Sequence, residues 1–166
     1  MDGNQIATPA MRYESTGVSY ISPRELPWVP WELGEGMKYR LFKVDPVHGT
    51  FSVSLYVPAN AGLGMHHHTG FVQVYTQQGS WKYNEHDWVA EPGSLVYETA
   101  DSKHSFTTLP GDDVITYIFM NGTLEFLDDD GNIIHLESWR TFLERQNNYY
   151  RSIGHPVPDI TSFTEN

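Results

Sequence analysis

The sequence predicts an all-β domain, a sandwich or barrel of short strands followed by one helix. Three observations carry this. Apolar and polar residues alternate with a period of two in several runs of five to eight residues. Glycine and proline turns separate those runs, and no helical periodicity falls between them. A single amphipathic stretch occurs, and only near the C-terminus.

Residues 1–36 read as an N-terminal arm, with a strand expected around Val18–Ile21 and an extended, proline-rich segment at Leu26–Trp31. Residues 37–136 carry the strands. Met37–Val44 alternates until Asp45-Pro46 breaks it, and Phe51, Val53, Leu55 and Val57 alternate with Ser52, Ser54 and Tyr56, as in a half-buried strand. Pro58 to Gly64 reads as a turn. Strands are then expected at His66–His68, Phe71–Thr76, Ser94–Thr99, His104–Thr108 and Val114–Met120, with a hairpin from Trp81 to Val89. A last hairpin joins Leu124–Phe126 to Ile133–Leu136 around Leu127–Asn132. Its three aspartates lack the alternating oxygen ligands of a calcium loop and read as a solvated turn. Within residues 137–152, Ser138 can cap a helix from Trp139 to about Tyr150, with Trp139, Phe142, Leu143 and Gln146 on one face. Residues 153–166 read as a tail.

Composition narrows the function. The chain of 166 residues reads as one domain with no cysteine, so thiolate metal sites and cysteine nucleophiles are excluded. Net charge is −11, from 10 basic and 21 acidic residues, which disfavours nucleic acid and anionic membranes as partners. No apolar run approaches the roughly 18 residues of a membrane span, and the N-terminus lacks a signal-peptide pattern. A cytoplasmic location is the expectation. Aromatics reach 14%, as suits β-rich packing, an aromatic-lined pocket, or both.

The chemistry concentrates in Met65-His66-His67-His68-Thr69-Gly70. On a strand, His66 and His68 share one face and His67 points away. With a third imidazole from a distant strand, two such residues can cap a small transition metal and leave positions open for other ligands. A chance histidine run on a surface loop is the plain alternative. His48, His135 and His155 lack partner spacing and read as ordinary residues. Phe71, Tyr75, Phe106 and Phe119 are candidate pocket walls or core, and Asn84-Glu85-His86-Asp87 reads as an exposed hairpin tip.

Gly62-x3-His66-x-His68-x4-Gln73-x5-Gly79 resembles the first motif of the cupins, and the stretch from Glu91-Pro92-Gly93 to His104 resembles the second more loosely. Gln73 stands where the usual glutamate ligand would be. The resemblance implies a cupin jelly-roll β-barrel of two antiparallel sheets with a metal inside. Trp28-x-Pro30-Trp31, His66–Gly70, Gly79–Tyr83, Asp87–Ala90 and Phe126–Gly131 resemble, more closely, the acetylacetone-cleaving and 2,4'-dihydroxyacetophenone dioxygenases. That likeness implies Fe(II) held by His66, His68 and His104, with zinc or nickel as substitutes. It also implies a catalytic or supporting glutamate, Glu98, six residues before His104. Without it, Glu98 reads as a solvent-facing strand residue. Gln73 is then a weak ligand, a substrate hydrogen-bond donor or inward filler, and the four aromatics are substrate contacts. The implied reaction is C–C cleavage beside a carbonyl in a small β-diketone or α-hydroxyketone, with dioxygen as co-substrate. A non-catalytic metal sensor, like the zinc-binding cupin of anti-sigma factors, and an oxygen-independent isomerase or hydrolase are the alternatives. Pairing through sheet edges would make a homo-oligomer, a dimer or tetramer.

Overall fold

A computed structural model describes residues 20–162. It contains eleven strands and one long helix: β1 (Val29–Pro30), β2 (Lys38–Asp45), β3 (Thr50–Val57), β4 (Gly62–His68), β5 (Val72–Gln78), β6 (Trp81–Tyr83), β7 (Leu95–Glu98), β8 (Lys103–Thr108), β9 (Val114–Asn121), β10 (Thr123–Leu127), β11 (Ile133–Ser138) and α1 (Trp139–Ser152). All pairings are antiparallel. One sheet runs β1-β2-β3-β9-β5-β7 and the other β11-β10-β4-β8-β6. Strands distant in sequence are neighbours in both sheets, which is the jelly-roll arrangement. Among the described residues, no helix is long and apolar enough to cross a membrane.

The alternation read from the sequence decides which side chains meet between the sheets. From the six-stranded sheet come Val53, Val72, Val74 and Met120; from the other come Leu63, Trp81, Phe106, Leu124 and Phe126, all buried. β3 departs from the half-buried expectation, because Ser52 and Ser54 on its far face are buried too. The rings of Phe42 and Tyr117, 6.1 Å apart, close over it from the strands on either side, and Ser54 Oγ donates to the carbonyl of Thr116 at 2.7 Å. Between Pro58 and Gly64, expected as a turn, β4 already begins at Gly62, with a register shift between Leu63 and His66. Only the first strand of the expected Trp81–Val89 hairpin forms; residues 84–89 are irregular, and one bridge joins Trp81 to Ala90.

Where β4 turns into β5, Gly70 lies against the β9–β10 turn so tightly that a Cβ would sit 2.4 Å from the carbonyl oxygen of Asn121. Asn121 Oδ1 accepts the Phe71 N–H at 2.9 Å from the same turn. This clamp fixes where the histidine strand ends.

The strand expected around Val18–Ile21 lies partly outside the described residues; Tyr20 and Ile21 carry no regular structure. The rest of the N-terminal segment packs down through Leu26, Val29 and Trp31, each almost fully buried. Ser138 caps α1, and Thr141 completes the box by accepting the Ser138 N–H at 2.9 Å. The helix buries Phe142, Gln146 and Tyr150. Beyond the two residues of β1, the edge of β2 is satisfied by side chain and tail. Gln146 accepts the Leu41 N–H at 2.8 Å and donates to the Leu41 carbonyl at 3.1 Å, while Val44 N–H donates to the Ile160 carbonyl at 2.9 Å.

Glu137 ties arm, helix and sheet together. Its buried carboxylate accepts from Arg145 Nη2 at 2.5 Å, from Trp31 Nε1 at 3.2 Å and from the Thr141 hydroxyl, and His135 Nε2 lies 3.1 Å away. Burial pushes this carboxyl up, but the hydrogen bonds from Arg145, Thr141 and His135 outweigh it and hold it below the ordinary range.

Candidate metal centre

The strand period puts His66 and His68 inward, opposite Phe126 and Leu124 of β10. His66 also stands directly opposite His104 of β8. The three rings converge, with centroids 5.0 Å (His66–His68), 4.7 Å (His66–His104) and 5.1 Å (His68–His104) apart. One ring nitrogen from each lies within 4.8 Å of the others. His67 points out, with Nδ1 2.8 Å from Glu125 and Nε2 2.8 Å from Asp101.

The shifted register in β4 has a chemical result. Gly64 presents its carbonyl 2.8 Å from His66 Nδ1. A carbonyl only accepts, so Nδ1 carries the proton and Nε2 keeps its lone pair for a cation. Burial lowers all three imidazole pKa values: His68 to about 2 and His104 to about 3, each further lowered by the neighbouring rings, and His66 in the same direction against the pull of the Gly64 bond. The rings are therefore neutral at physiological pH, the form that binds metals.

Glu98, at the end of β7, brings a carboxylate to the same point. It is 6% exposed, and burial pushes it up to about 7, partly offset by the hydrogen bond from the Tyr83 hydroxyl to Oε1. Its Oε2 lies 3.3 Å from His68 Nε2 and 3.5 Å from His104 Nε2. Tyr83 also stacks on His104, centroids 3.6 Å apart. Buried polar atoms normally find partners, yet His68 Nδ1 and Nε2, His104 Nε2 and Glu98 Oε2 have none. Three of these four atoms cluster beside the third histidine, which is the donor set a divalent transition metal would satisfy. The residues fit the metal.

Such a site strains the metal-free protein from both sides. Its imidazoles stay neutral when the unfolded chain takes up protons, so stability falls as pH drops below about 6.5. Glu98 acts oppositely: its raised pKa makes stability fall as pH rises from its unfolded value toward about 7. Thermal unfolding of the metal-free protein across pH is expected to show both losses; a flat profile between pH 4 and 6 would contradict the neutral-imidazole assignment.

A cavity of about 80 Å³ opens on His66, His68 and Glu98, walled by Trp31, Leu63, Phe106, Met120 and Phe142 among others. Of the aromatic residues expected at the substrate, only Phe106 lines it. The other expectations are corrected by the phase of two strands. On β5 the inward positions are Val72, Val74 and Thr76, so Gln73 and Tyr75 face outward, and Phe71, just before the strand, stacks on Tyr97 and lies against Phe119 on that outer face. Glu85 and His86 stay at an exposed loop, where Glu85 accepts from Ser105 N–H and Oγ. Tyr83 escaped the sequence reading. Its signal was the Trp81-x-Tyr83 alternation, which puts both rings on the inner face.

The ChrR cupin-like domain family matches residues 16–124. An RmlC-like cupin protein from Ralstonia eutropha JMP134 is 41% identical, with a TM-score of 0.87 over 91% of this chain and 98% of that one. The acetylacetone dioxygenase of Acinetobacter johnsonii is 18% identical, with a TM-score of 0.69 over 78% and 90%. The anti-sigma factor ChrR of Rhodobacter sphaeroides, seen in complex with SigE, is 16% identical, with a TM-score of 0.51 over 60% and 51%. The last two show likeness of fold alone. No functionally curated protein matches the sequence. With a family match over more than half its length and a cupin relative of the same extent, the chain belongs to the ChrR cupin-like family.

Proposed function

We propose that the protein is a non-haem iron-dependent dioxygenase that cleaves the C–C bond beside a carbonyl in a small β-diketone or α-hydroxyketone. The observation that carries this reading is the convergence of three neutral imidazoles and one buried carboxylate on a small, apolar-walled cavity. The fold likeness to an acetylacetone dioxygenase supports it.

Iron held by His66, His68 and His104 would supply the redox chemistry toward dioxygen and a template for two substrate oxygens. Neutral ligands leave its charge uncompensated, which favours an anionic chelate such as an enolate. Glu98, with Oε2 3.3 Å from His68 Nε2 and 3.5 Å from His104 Nε2, is placed to take the proton that an enolising ketone loses. The Tyr83 hydroxyl holds Glu98 Oε1 in position. Trp31, Phe106 and Phe142 present no carboxylate or cation to the substrate and exclude bulk water. The cavity volume suits a small ketone, since one water needs only about 10–15 Å³ on this scale.

The test is oxygen uptake by protein loaded with iron under anaerobic conditions, given acetylacetone, 2,4'-dihydroxyacetophenone or a simple α-hydroxyketone. Uptake that depends on iron and on substrate, and disappears with zinc, is the expected result. Turnover that proceeds equally with zinc and without oxygen would contradict it. Tight zinc binding without turnover of any of the three would favour a metal sensor, the reading to which the fold likeness to ChrR lends support.

A further inference from the structure

We propose that Thr116 selects the substrate at the end of the cavity remote from the metal, where its hydroxyl takes a neutral oxygen, carbonyl or hydroxyl, carried on an apolar body. This deepens the substrate side of the proposed function and rests on the cavity being the substrate site. β9 gives the cavity its length. Met120 pairs with Val72, and Val72 pairs with Glu98, so this row lies level with the metal end. Four residues away on the same face, Thr116 pairs with Thr76 on one side and Leu55 on the other. At the rise of a β-strand the two rows stand about 13 Å apart. Thr116 and Met120 both line the cavity, which therefore runs along the strand from one row to the other.

Beyond the metal end, the other polar groups in the wall are already committed. Trp31 Nε1 donates to Glu137 at 3.2 Å, Trp81 Nε1 donates to Thr76 Oγ1 at 2.8 Å, and the Tyr83 hydroxyl donates to Glu98. Thr116 is 3% exposed, yet its Oγ1 has no hydrogen-bond partner among the described residues. A buried threonine hydroxyl ordinarily bonds to a nearby carbonyl or side chain. Left unmet in an apolar wall, it costs stability that a bound oxygen atom would return. A hydroxyl both donates and accepts, so either a carbonyl or a hydroxyl on the ligand satisfies it. Among the described residues no lysine or arginine lines the cavity, so an anionic group at this end would be buried without a counter-charge. The remote group is neutral.

Calorimetry on zinc-loaded protein, which cannot oxidise its ligand, tests the assignment with two β-diketones. They are 1-phenylbutane-1,3-dione and its 4-hydroxyphenyl analogue, which differ by one hydroxyl at the end remote from the chelating oxygens. Wild type is expected to bind the hydroxylated compound about tenfold more tightly, the scale of one hydrogen bond made to a group otherwise left unpaired. Thr116→Val keeps the shape of the side chain and removes its hydroxyl. It is expected to abolish that preference and leave the affinity for the parent diketone unchanged, whereas Thr116→Ser is expected to retain the preference. Thermal unfolding of the metal-free, ligand-free protein supplies a second readout. Thr116→Val is expected to unfold about 2–4 °C above wild type, because an unmet buried hydroxyl has gone. A hydroxyl that serves only the fold predicts a lower temperature instead. Equal affinities of wild type for the two diketones, a preference that survives in Thr116→Val, or a lower unfolding temperature for that variant would overturn the proposal. Zinc-loaded protein that binds neither diketone would overturn it together with the substrate reading beneath it. Discrimination that follows this order without oxygen uptake by the iron protein would leave the Thr116 assignment standing and remove the dioxygenase.

Discussion

Single replacement of His66, His68 or His104 by alanine is expected to take bound metal from near stoichiometric to near none after dialysis, while His67→Ala retains it. The four residues differ little in sequence context but completely in direction. Three are 3–5% exposed and bring their free nitrogens to one point. The fourth crosses to the outer face, between Glu125 and Asp101. Loss of a supporting group alone typically lowers affinity by about 10–100-fold, and removal of a donor is expected to exceed that. His67→Ala removes only the contacts to Glu125 and Asp101 on the outer face, with an effect on stability of about 0–1 kcal/mol. Elemental analysis of the four variants decides it. Equal loss of metal in His67→Ala would mean that β4 is out of register by one residue, since a slip of that size exchanges the two faces.

Glu137→Ala is expected to destabilise the protein by about 3–5 kcal/mol, as breaking a buried ion pair from one side does. The substitution leaves Arg145 beside a buried gap and removes acceptors from Trp31 Nε1 and Thr141 as well. Arm and helix should loosen together, because Trp31 belongs to one and Arg145 to the other. Changing both members to apolar residues, Glu137→Leu with Arg145→Met, should recover much of the loss, since the penalty comes from the stranded charge rather than from the absent attraction. Denaturant unfolding reads both values. A loss below about 1 kcal/mol for Glu137→Ala would show that Arg145 finds solvent at little cost.

The fold was legible in the sequence because its signals are local. Period-two alternation, glycine and proline turns, and the Ser138 cap depend on neighbours along the chain, and they located most of the strands and the helix. The histidines were legible for the same reason: His66-x-His68 fixes a shared face whatever the strand pairs with. The walls of the cavity were not. In Phe71-Val72-Gln73-Val74-Tyr75-Thr76 both alternate sets contain apolar residues, so the period fits either phase. What selects Val72 and Val74 as inward is pairing with β9, where Val72 stands opposite Met120. Phe119 turns outward by the same register. Glu98 and Tyr83 meet through a contact between the two sheets, and Glu137 gathers partners from three elements; no pattern along the chain announces either. The bulge that gives His66 its carbonyl partner was hidden too, because Gly62-Leu63-Gly64 reads as a turn until β8 pairs with it.

The most direct test of metal-dependent dioxygenation in this cavity is to run the reaction of the iron-loaded protein under isotopically heavy dioxygen and weigh the cleavage products. Cleavage by a dioxygenase places one heavy oxygen atom in each of the two fragments. Fragments that carry oxygen from solvent water alone would contradict it, and would make the three histidines and Glu98 the site of a hydrolytic reaction instead.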